Sequence, residues 1–142
     1  RQRQMCIRDS YSVAQHSILV SQLVPAKDAL WGLLHDASEA YIGDVPRPLK
    51  KLPEFAQYRA IEQRLMRAIC TRFNLSEVQP DTVTHADLVM LATEARDLMS
   101  APPQPWNPMP QPLDAPIVCL DQRDAEKLFL KRFDVAILEN LS

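Results

Sequence analysis

Two neighbouring residues, His35 and Asp36, have side chains that can bind a metal ion, and they lie next to apolar residues in the sequence. They directly follow Leu33 and Leu34, and burying such a pair costs free energy unless both groups are satisfied. A divalent metal ion would satisfy them, because a neutral imidazole nitrogen and a carboxylate oxygen are both ligands of transition metals. The His-Asp dipeptide alone is common, so this hypothesis depends on other residues.

Further groups of suitable type occur elsewhere in the chain. His16 falls on the apolar face of one predicted helix, and Asp87 enters the apolar stripe of another. Glu39 follows Asp36 by three residues and His35 by four, which predicts one helix face and a carboxylate that can hold and deprotonate a water. The ordinary alternatives are a core histidine for His16 and a helix cap for Asp87. The ordered set of His, His-Asp and Asp on three predicted helices favours a metal site.

Charged residues near these groups have two interpretations each. Arg47 and Lys50 lie in a proline-stiffened loop and could offer positive charge to a phosphate, with solvated surface as the alternative. Glu94 falls seven residues after Asp87 on the same predicted face. It could form a hydrogen bond to a metal ligand without binding the metal itself. Together with Arg96 it could instead form an exposed charge pair. The sequence leaves these alternatives open.

Helical periodicity dominates the chain, and no stretch alternates apolar and polar residues for long, so the predicted fold class is all-α. Ser12 and Gln15 have the spacing of a capping box at the start of the first helix. The predicted inner face of that helix is Val13, His16, Val20 and Leu23. The predicted inner face of the third helix is Tyr58, Ile61, Leu65, Ala68 and Ile69. About five to six helices are expected, the main ones near Ser12–Leu23, Lys27–Tyr41, Glu54–Phe73, Thr82–Met99 and Asp121–Leu141.

Prolines mark the segments between these helices. Residues 43–53 hold three prolines and are predicted to be a loop with at most a short turn. Seven of the twelve prolines fall between Pro102 and Pro116, so residues 100–119 are predicted to form a long irregular loop. We expect Trp106 to hold this loop against the rest of the protein.

The bulk composition limits the classes to consider. A length of 142 residues fits one core, and we expect one domain over residues 11–142. Residues 1–10 lack an initiator Met and any periodicity, and we interpret them as a foreign or truncated segment. A net charge of −2 gives no electrostatic reason to bind a nucleic acid polymer, and no apolar run approaches the roughly 20 residues of a membrane span. Three widely spaced cysteines without a CxxC pair or disulfide pattern suit a cytoplasmic location.

One stretch is more specific than any single residue. The run HDASEAYIGDVPRPLK, from His35 to Lys50, with SVAQHS around His16 and the pair Ala86-Asp87, resembles the HD-domain superfamily of phosphohydrolases. Within it, the run is most similar to the YfbR-like 5′-deoxynucleotidases and their short relatives, and YRAIE (58–62) matches in order and spacing. The resemblance covers about residues 11–98 and implies a helical HD-domain bundle.

The resemblance also implies a site. The implied ligands of one divalent metal ion are His16, His35, Asp36 and Asp87. This mixed nitrogen and oxygen set suits Mn²⁺, Co²⁺, Fe²⁺, Ni²⁺ or Zn²⁺. Glu39 is implied to orient and activate the attacking water, and Asp44 to contact the deoxyribose side of a small nucleotide substrate. Members carry an Arg that meets the substrate phosphate about 14 residues before His16, where this chain has Gln2.

The implied reaction is hydrolysis of a 5′-deoxynucleoside monophosphate to a deoxynucleoside and phosphate. Some short relatives hydrolyse deoxynucleoside triphosphates, and this is an alternative. A catalytically impaired metal-binding or interaction module and a plain helical scaffold with core histidines are further alternatives. Dimers are usual among members of the family, so a homodimer is an expected assembly.

Overall fold

The computed structural model describes residues 11–99 and 109–142, apart from the side chain of Arg47. Within these two ranges every regular element is a helix and no strand is found, which confirms the predicted all-α class. The α-helices are α1 (Val13–Leu23), α2 (Ala29–Leu34), α3 (Glu39–Ile42), α4 (Arg47–Lys50), α5 (Ala56–Phe73), α6 (Asp81–Asp97) and α7 (Gln122–Asn140). Short 3₁₀ turns at Ala26–Asp28 and Pro53–Phe55 precede α2 and α5.

Helix α1 begins as the capping pattern predicts, but its buried face differs from the prediction. Ser12 caps the helix, since its Oγ accepts a hydrogen bond of 3.2 Å from the Gln15 backbone N–H. Val13 is 52% exposed and Leu23 is 39% exposed, so the predicted inner face is wrong at both ends. The residues that are buried on α1 are Gln15, Ser17, Ile18, Val20 and Ser21.

Small residues at the contact with α2 explain why this face of α1 is buried. A Cβ on Gly32 of α2 would lie 3.1 Å from the Ser21 Cα, closer than an ordinary van der Waals contact. The two backbones therefore approach more closely at this point than larger side chains would permit. Apolar periodicity does not detect a face whose close packing depends on serine and glycine.

The second predicted helix, expected over Lys27–Tyr41, is interrupted. Helix α2 ends at Leu34, and residues 35–38 form successive turns before α3. The Ala37 N–H donates to the Leu34 carbonyl at 3.0 Å, and the Glu39 N–H donates to the Asp36 carbonyl at 2.9 Å. These bonds span three residues, as in a 3₁₀ helix, so the chain turns more tightly here than an α-helix does. The prediction of one continuous helix was wrong because residue spacing alone does not separate the two geometries.

The described residues belong to two compact units. One unit contains 11–33, 80–99 and 109–142, and there α1 packs against α6 and α7. Its most fully buried apolar side chains include Val20, Leu30, Leu33, Val83 and Met90. The guanidinium of Arg132 on α7 donates to both the Oγ and the carbonyl oxygen of Ser21, which joins α7 to the last turn of α1.

The other unit contains residues 34–79. There α4 and the turn Pro53–Phe55 contact α5, and the short helical turn of α4 agrees with the prediction for residues 43–53. Only Cys70 is buried on α5. Ile61 of the predicted inner face is 47% exposed, and Tyr58, Leu65 and Ile69 are half-buried, so the described residues cover this face only in part. Asn74 ends α5 in the left-handed conformation, with φ of 53°.

Side chains of α1 and α6 hold the described part of the proline-rich segment. The Leu113 N–H donates to Thr93 Oγ1 at 3.0 Å, and the Ile117 N–H donates to Asp97 Oδ2 at 2.9 Å. Gln15 does not complete the predicted capping box. Its side chain instead donates to the Val118 carbonyl at 2.7 Å and accepts from the Leu120 N–H at 2.9 Å. These bonds satisfy backbone groups that no helix or strand would satisfy. Residues 100–108, including Trp106, lie outside the described residues, as does the predicted foreign segment 1–10.

Two observations bear on the expected compartment. No described helix is both long and apolar enough to cross a membrane. Among the described cysteines, Cys70 is a buried free thiol. A cytoplasmic location therefore stays a prediction.

Candidate metal centre

His16 lies between two carboxylates contributed by α6. Its Nε2 is 3.2 Å from Asp87 Oδ1, and its Nδ1 is 2.6 Å from Glu94 Oε1. Both ring nitrogens are therefore engaged, and the side chains of all three residues are at most 16% exposed. Asp87 and Glu94 are seven residues apart on one helix, so they share a face, as the sequence predicted.

Tyr11 holds the second carboxylate in place. Its hydroxyl donates to Glu94 Oε1 at 2.5 Å, and His16 Nδ1 lies 2.6 Å from the same oxygen. Burial, then the negative charge of Glu94 and the hydrogen bond to it, raise the pKa of Tyr11 far above its ordinary value. The phenol is therefore a donor at neutral pH.

His35 completes a group of three possible ligands. His16, His35 and Asp87 each offer one ligand atom, and these three atoms all lie within 4.8 Å of one another. His35 is 8% exposed and follows the last residue of α2 directly. The structure thus brings together three of the four residues that the sequence suggests as metal ligands.

Asp36, the fourth suggested ligand, does not belong to that group. Its Oδ2 lies 3.2 Å from His35 Nε2, and its side chain is 32% exposed. Asp36 thus contacts a member of the group, and its role as a ligand stays a prediction.

The donor set of the group fits a divalent transition metal. Two imidazole nitrogens and a carboxylate oxygen form the mixed set that such ions bind. Two ligands of a tetrahedral ion, each at about 2.1 Å, lie about 3.4 Å apart. The distance between His16 Nε2 and Asp87 Oδ1, 3.2 Å, is close to this value. Glu94 on the opposite ring nitrogen matches the carboxylate that commonly supports a metal-bound histidine.

The residues suggested for catalysis lie in the segment that follows His35. Partial burial, the charges of Asp36 and Asp44, and a hydrogen bond with Asp44 raise the pKa of Glu39 to about 7, against a lowering by Lys50. A 3₁₀ turn contains three residues, so Glu39 and Asp36 lie on the same side of these turns. Gly43, with φ of +71°, ends α3 and redirects the chain so that Asp44 returns to Glu39.

Lys50, one of the two residues suggested for phosphate contact, already has acidic partners. Its Nζ lies 2.8 Å from Glu62 Oε1 and 3.7 Å from Asp44 Oδ1, with its side chain 20% exposed. Partial burial lowers the pKa of Lys50, but the hydrogen bond and charge of Glu62 outweigh it, so the pKa lies above its ordinary value. Lys50 therefore ties the Asp44 loop to α5, and a phosphate would have to compete with these carboxylates. The side chain of Arg47 lies outside the described residues.

The sequence missed Tyr11 and left the role of Glu94 open. Glu94 is only 8% exposed, so the exposed charge pair that was its alternative is not formed. Arg96 instead pairs with Asp97 and donates to the carbonyls of Leu113 and Ala115. The seven-residue spacing from Asp87 could have identified Glu94. No pattern pointed to Tyr11, because its contact with Glu94 spans 83 positions of the chain.

Comparison with known proteins yields relatives without an assigned activity. No family model matches the chain. The chain is 49% identical over 88 residues to the uncharacterized protein YfdR of Escherichia coli strain K12, a match that covers 62% of this chain and 48% of that protein. It is 35% identical over 100 residues to the uncharacterized protein RCAP_rcc00048 of Rhodobacter capsulatus, covering 63% of this chain and 50% of that protein. The chain therefore spans about half the length of the curated relatives it matches.

Proposed function

We propose that this protein is a metal-dependent phosphohydrolase of the HD type, acting on 5′-deoxynucleoside monophosphates. The observation that carries the proposal is the convergence of ligand atoms from His16, His35 and Asp87 within 4.8 Å. A histidine in a protein core needs only hydrogen-bond partners for its ring nitrogens. Here three possible metal ligands from separate parts of the chain lie together, and Glu94 contacts one of them.

Hydrolysis of a phosphate monoester is extremely slow without catalysis. A divalent ion held by His16, His35 and Asp87, with Asp36 as a further candidate ligand, would neutralise phosphoryl charge and make a water more acidic. The donor chemistry suits Mn²⁺, Co²⁺, Fe²⁺, Ni²⁺ or Zn²⁺.

Glu39 would act as the general base. A carboxylate with its pKa raised to about 7 can accept a proton from the attacking water near neutral pH and still be partly ionised there. The water oxygen would form a bond to phosphorus as the bond from phosphorus to the 5′ oxygen breaks. The proton that Glu39 takes from the water would then pass to the departing 5′ oxygen, which becomes the hydroxyl of the deoxynucleoside. Asp44, hydrogen-bonded to Glu39, would hold this base and contact the sugar of the substrate.

The choice of substrate depends on the resemblance of the segment from His35 to Lys50 to the 5′-deoxynucleotidases. Lys50 would contribute by holding the Asp44 loop through Glu62, and Arg47 stays a candidate for phosphate contact. Because the chain corresponds to about half of its relatives, the activity of the whole protein is part of the proposal.

Metal analysis of the purified protein, coupled to a phosphate-release screen over deoxy- and ribonucleotides, tests this function. We expect one divalent metal per chain and orthophosphate from deoxynucleoside monophosphates. Release of triphosphate from deoxynucleoside triphosphates would identify the alternative reaction. Bound metal without any phosphate release, even from a chain of the relatives' full length, would reject the enzymatic proposal in favour of a binding module.

A further inference from the structure

A single carboxylate oxygen is the meeting point of two hydrogen bonds beside the candidate metal ligands. Glu94 Oε1 lies 2.5 Å from the Tyr11 hydroxyl and 2.6 Å from His16 Nδ1. A phenol O–H donates a hydrogen bond to a carboxylate, and a ring N–H does the same. If this carboxylate oxygen accepts from both groups, the proton of the imidazole lies on Nδ1.

This proton placement decides what the other ring nitrogen can do. When Nδ1 carries the proton of a neutral imidazole, the lone pair of Nε2 is available to a metal ion. His16 Nε2 points toward Asp87, with Oδ1 at 3.2 Å. When a metal ion lies between Nε2 and Asp87, a hydrogen bond from Nδ1 to Glu94 favours the tautomer that leaves the Nε2 lone pair for the metal.

The helices explain how the three residues meet. Tyr11 immediately precedes the cap residue Ser12, so the start of α1 fixes its position. Side chains on a helix lean toward its N-terminus, and Glu94 therefore reaches back along α6 toward Asp87. The ring of His16 fits between the two carboxylates, with one nitrogen on each.

We propose that Tyr11 and Glu94 are positioning residues that fix the tautomer and the orientation of His16 as a metal ligand. Tyr11 occupies the second acceptor site of Glu94 Oε1, which holds the carboxylate against the ring and keeps water from that site. This inference rests on the proposed metal site, and it assigns neither residue a contact with substrate.

The test measures metal affinity by competition with a chelator. Glu94→Gln keeps the shape of the side chain and removes its charge, and we expect the metal dissociation constant to rise about 10- to 100-fold. Tyr11→Phe removes one hydroxyl, and we expect a rise of roughly three- to tenfold. Tyr58→Phe is the matched control, because it removes a tyrosine hydrogen bond of 2.7 Å to the Gly43 carbonyl without touching His16, and its dissociation constant should stay within twofold of wild type.

A spectroscopic readout separates positioning from a general loss of structure. In the zinc-loaded protein, the short bond to Glu94 should move the His16 Nδ1 proton signal strongly downfield in imidazole ¹H–¹⁵N spectra. We expect this signal to move upfield in Glu94→Gln and to shift in Tyr11→Phe, while Tyr58→Phe leaves it in place. Circular dichroism identifies the temperature range in which all variants are folded, and the comparison is made there.

The outcomes distinguish this inference from the proposed function. Unchanged metal affinity and an unchanged Nδ1 signal in both variants would overturn the inference, even if the wild-type protein releases phosphate. If the variants lose affinity and the signal moves, the inference stands, even if no nucleotide is hydrolysed and the phosphohydrolase proposal fails.

Discussion

Glu39 illustrates how neighbouring groups shift the pKa of one carboxyl group. Partial burial and the nearby charges of Asp36 and Asp44 disfavour its ionised form and raise its pKa to about 7. A general base is most effective when its pKa is close to the working pH, because it must be both ionised and basic. The same environment that makes the glutamate costly to ionise therefore suits it to proton transfer.

The first prediction concerns the reaction itself. Glu39→Gln should lower the rate of phosphate release by about 100-fold or more, because an amide cannot accept the proton of the attacking water. Metal content should not change, since Glu39 is not among the grouped ligands. Glu54→Gln, at an exposed position of the same unit, is the control and should keep full activity. Equal rates for wild type and Glu39→Gln would exclude Glu39 as the base.

A second prediction concerns the pH dependence of stability in the metal-free protein. Glu39 has a higher pKa in the folded state than its ordinary value of 4.5, so the folded state keeps a proton that the unfolded state loses. The stabilising contribution of this proton is complete below pH 4.5 and is lost as pH rises to about 7. Urea unfolding with a chelator present should show a fall in the free energy of unfolding over this window, and the fall should be smaller in Glu39→Gln. An identical slope in both proteins would contradict this account.

At the scale of the helices, the sequence predicted the positions of α1, α5, α6 and α7 within a few residues. It failed at residues 35–38, because apolar spacing does not distinguish α-helix from successive 3₁₀ turns. It failed on the face of α1 for a different reason. There the contact with α2 depends on Ser21 and Gly32, whose small size permits close approach but gives no hydrophobic pattern.

Gln15 connects helix α1 to the end of the proline-rich segment, and this connection gives a third prediction. Gln15→Ala removes one donor and one acceptor and leaves the Val118 carbonyl and the Leu120 N–H without these bonds. We expect a loss of about 2 kcal/mol in the free energy of unfolding, because the buried Gln15 side chain loses two hydrogen bonds that each contribute about 1 kcal/mol. Gln22→Ala, at an exposed position of the same helix, should change it by less than about 0.5 kcal/mol. Similar values for the two variants in urea unfolding would show that the Gln15 bonds contribute nothing.

At the scale of the whole molecule, the sequence predicted only those site residues that lie in short recognisable patterns. His16, His35 and Asp87 were recognised because each lies in an apolar helical pattern or a specific run of residues. Their meeting is a property of the folded chain, and so is the support of His16 by Tyr11 and Glu94. Contacts between distant positions leave no periodicity in a single sequence.

The same long-range origin of the ligands gives the last prediction. Because His16, His35 and Asp87 converge only when the chain is folded, a divalent metal should bind the folded state in preference to the unfolded one. At a free concentration of 100 times its dissociation constant, such a ligand stabilises the protein by about 2.7 kcal/mol, which corresponds to a rise in Tm of about 10 °C for a chain of this size. His16→Ala should abolish most of this rise, whereas His85→Ala, at an exposed position outside the group, should retain it. A metal-induced rise of the same size in wild type and His16→Ala, measured by calorimetry with and without chelator, would mean that the ion binds elsewhere.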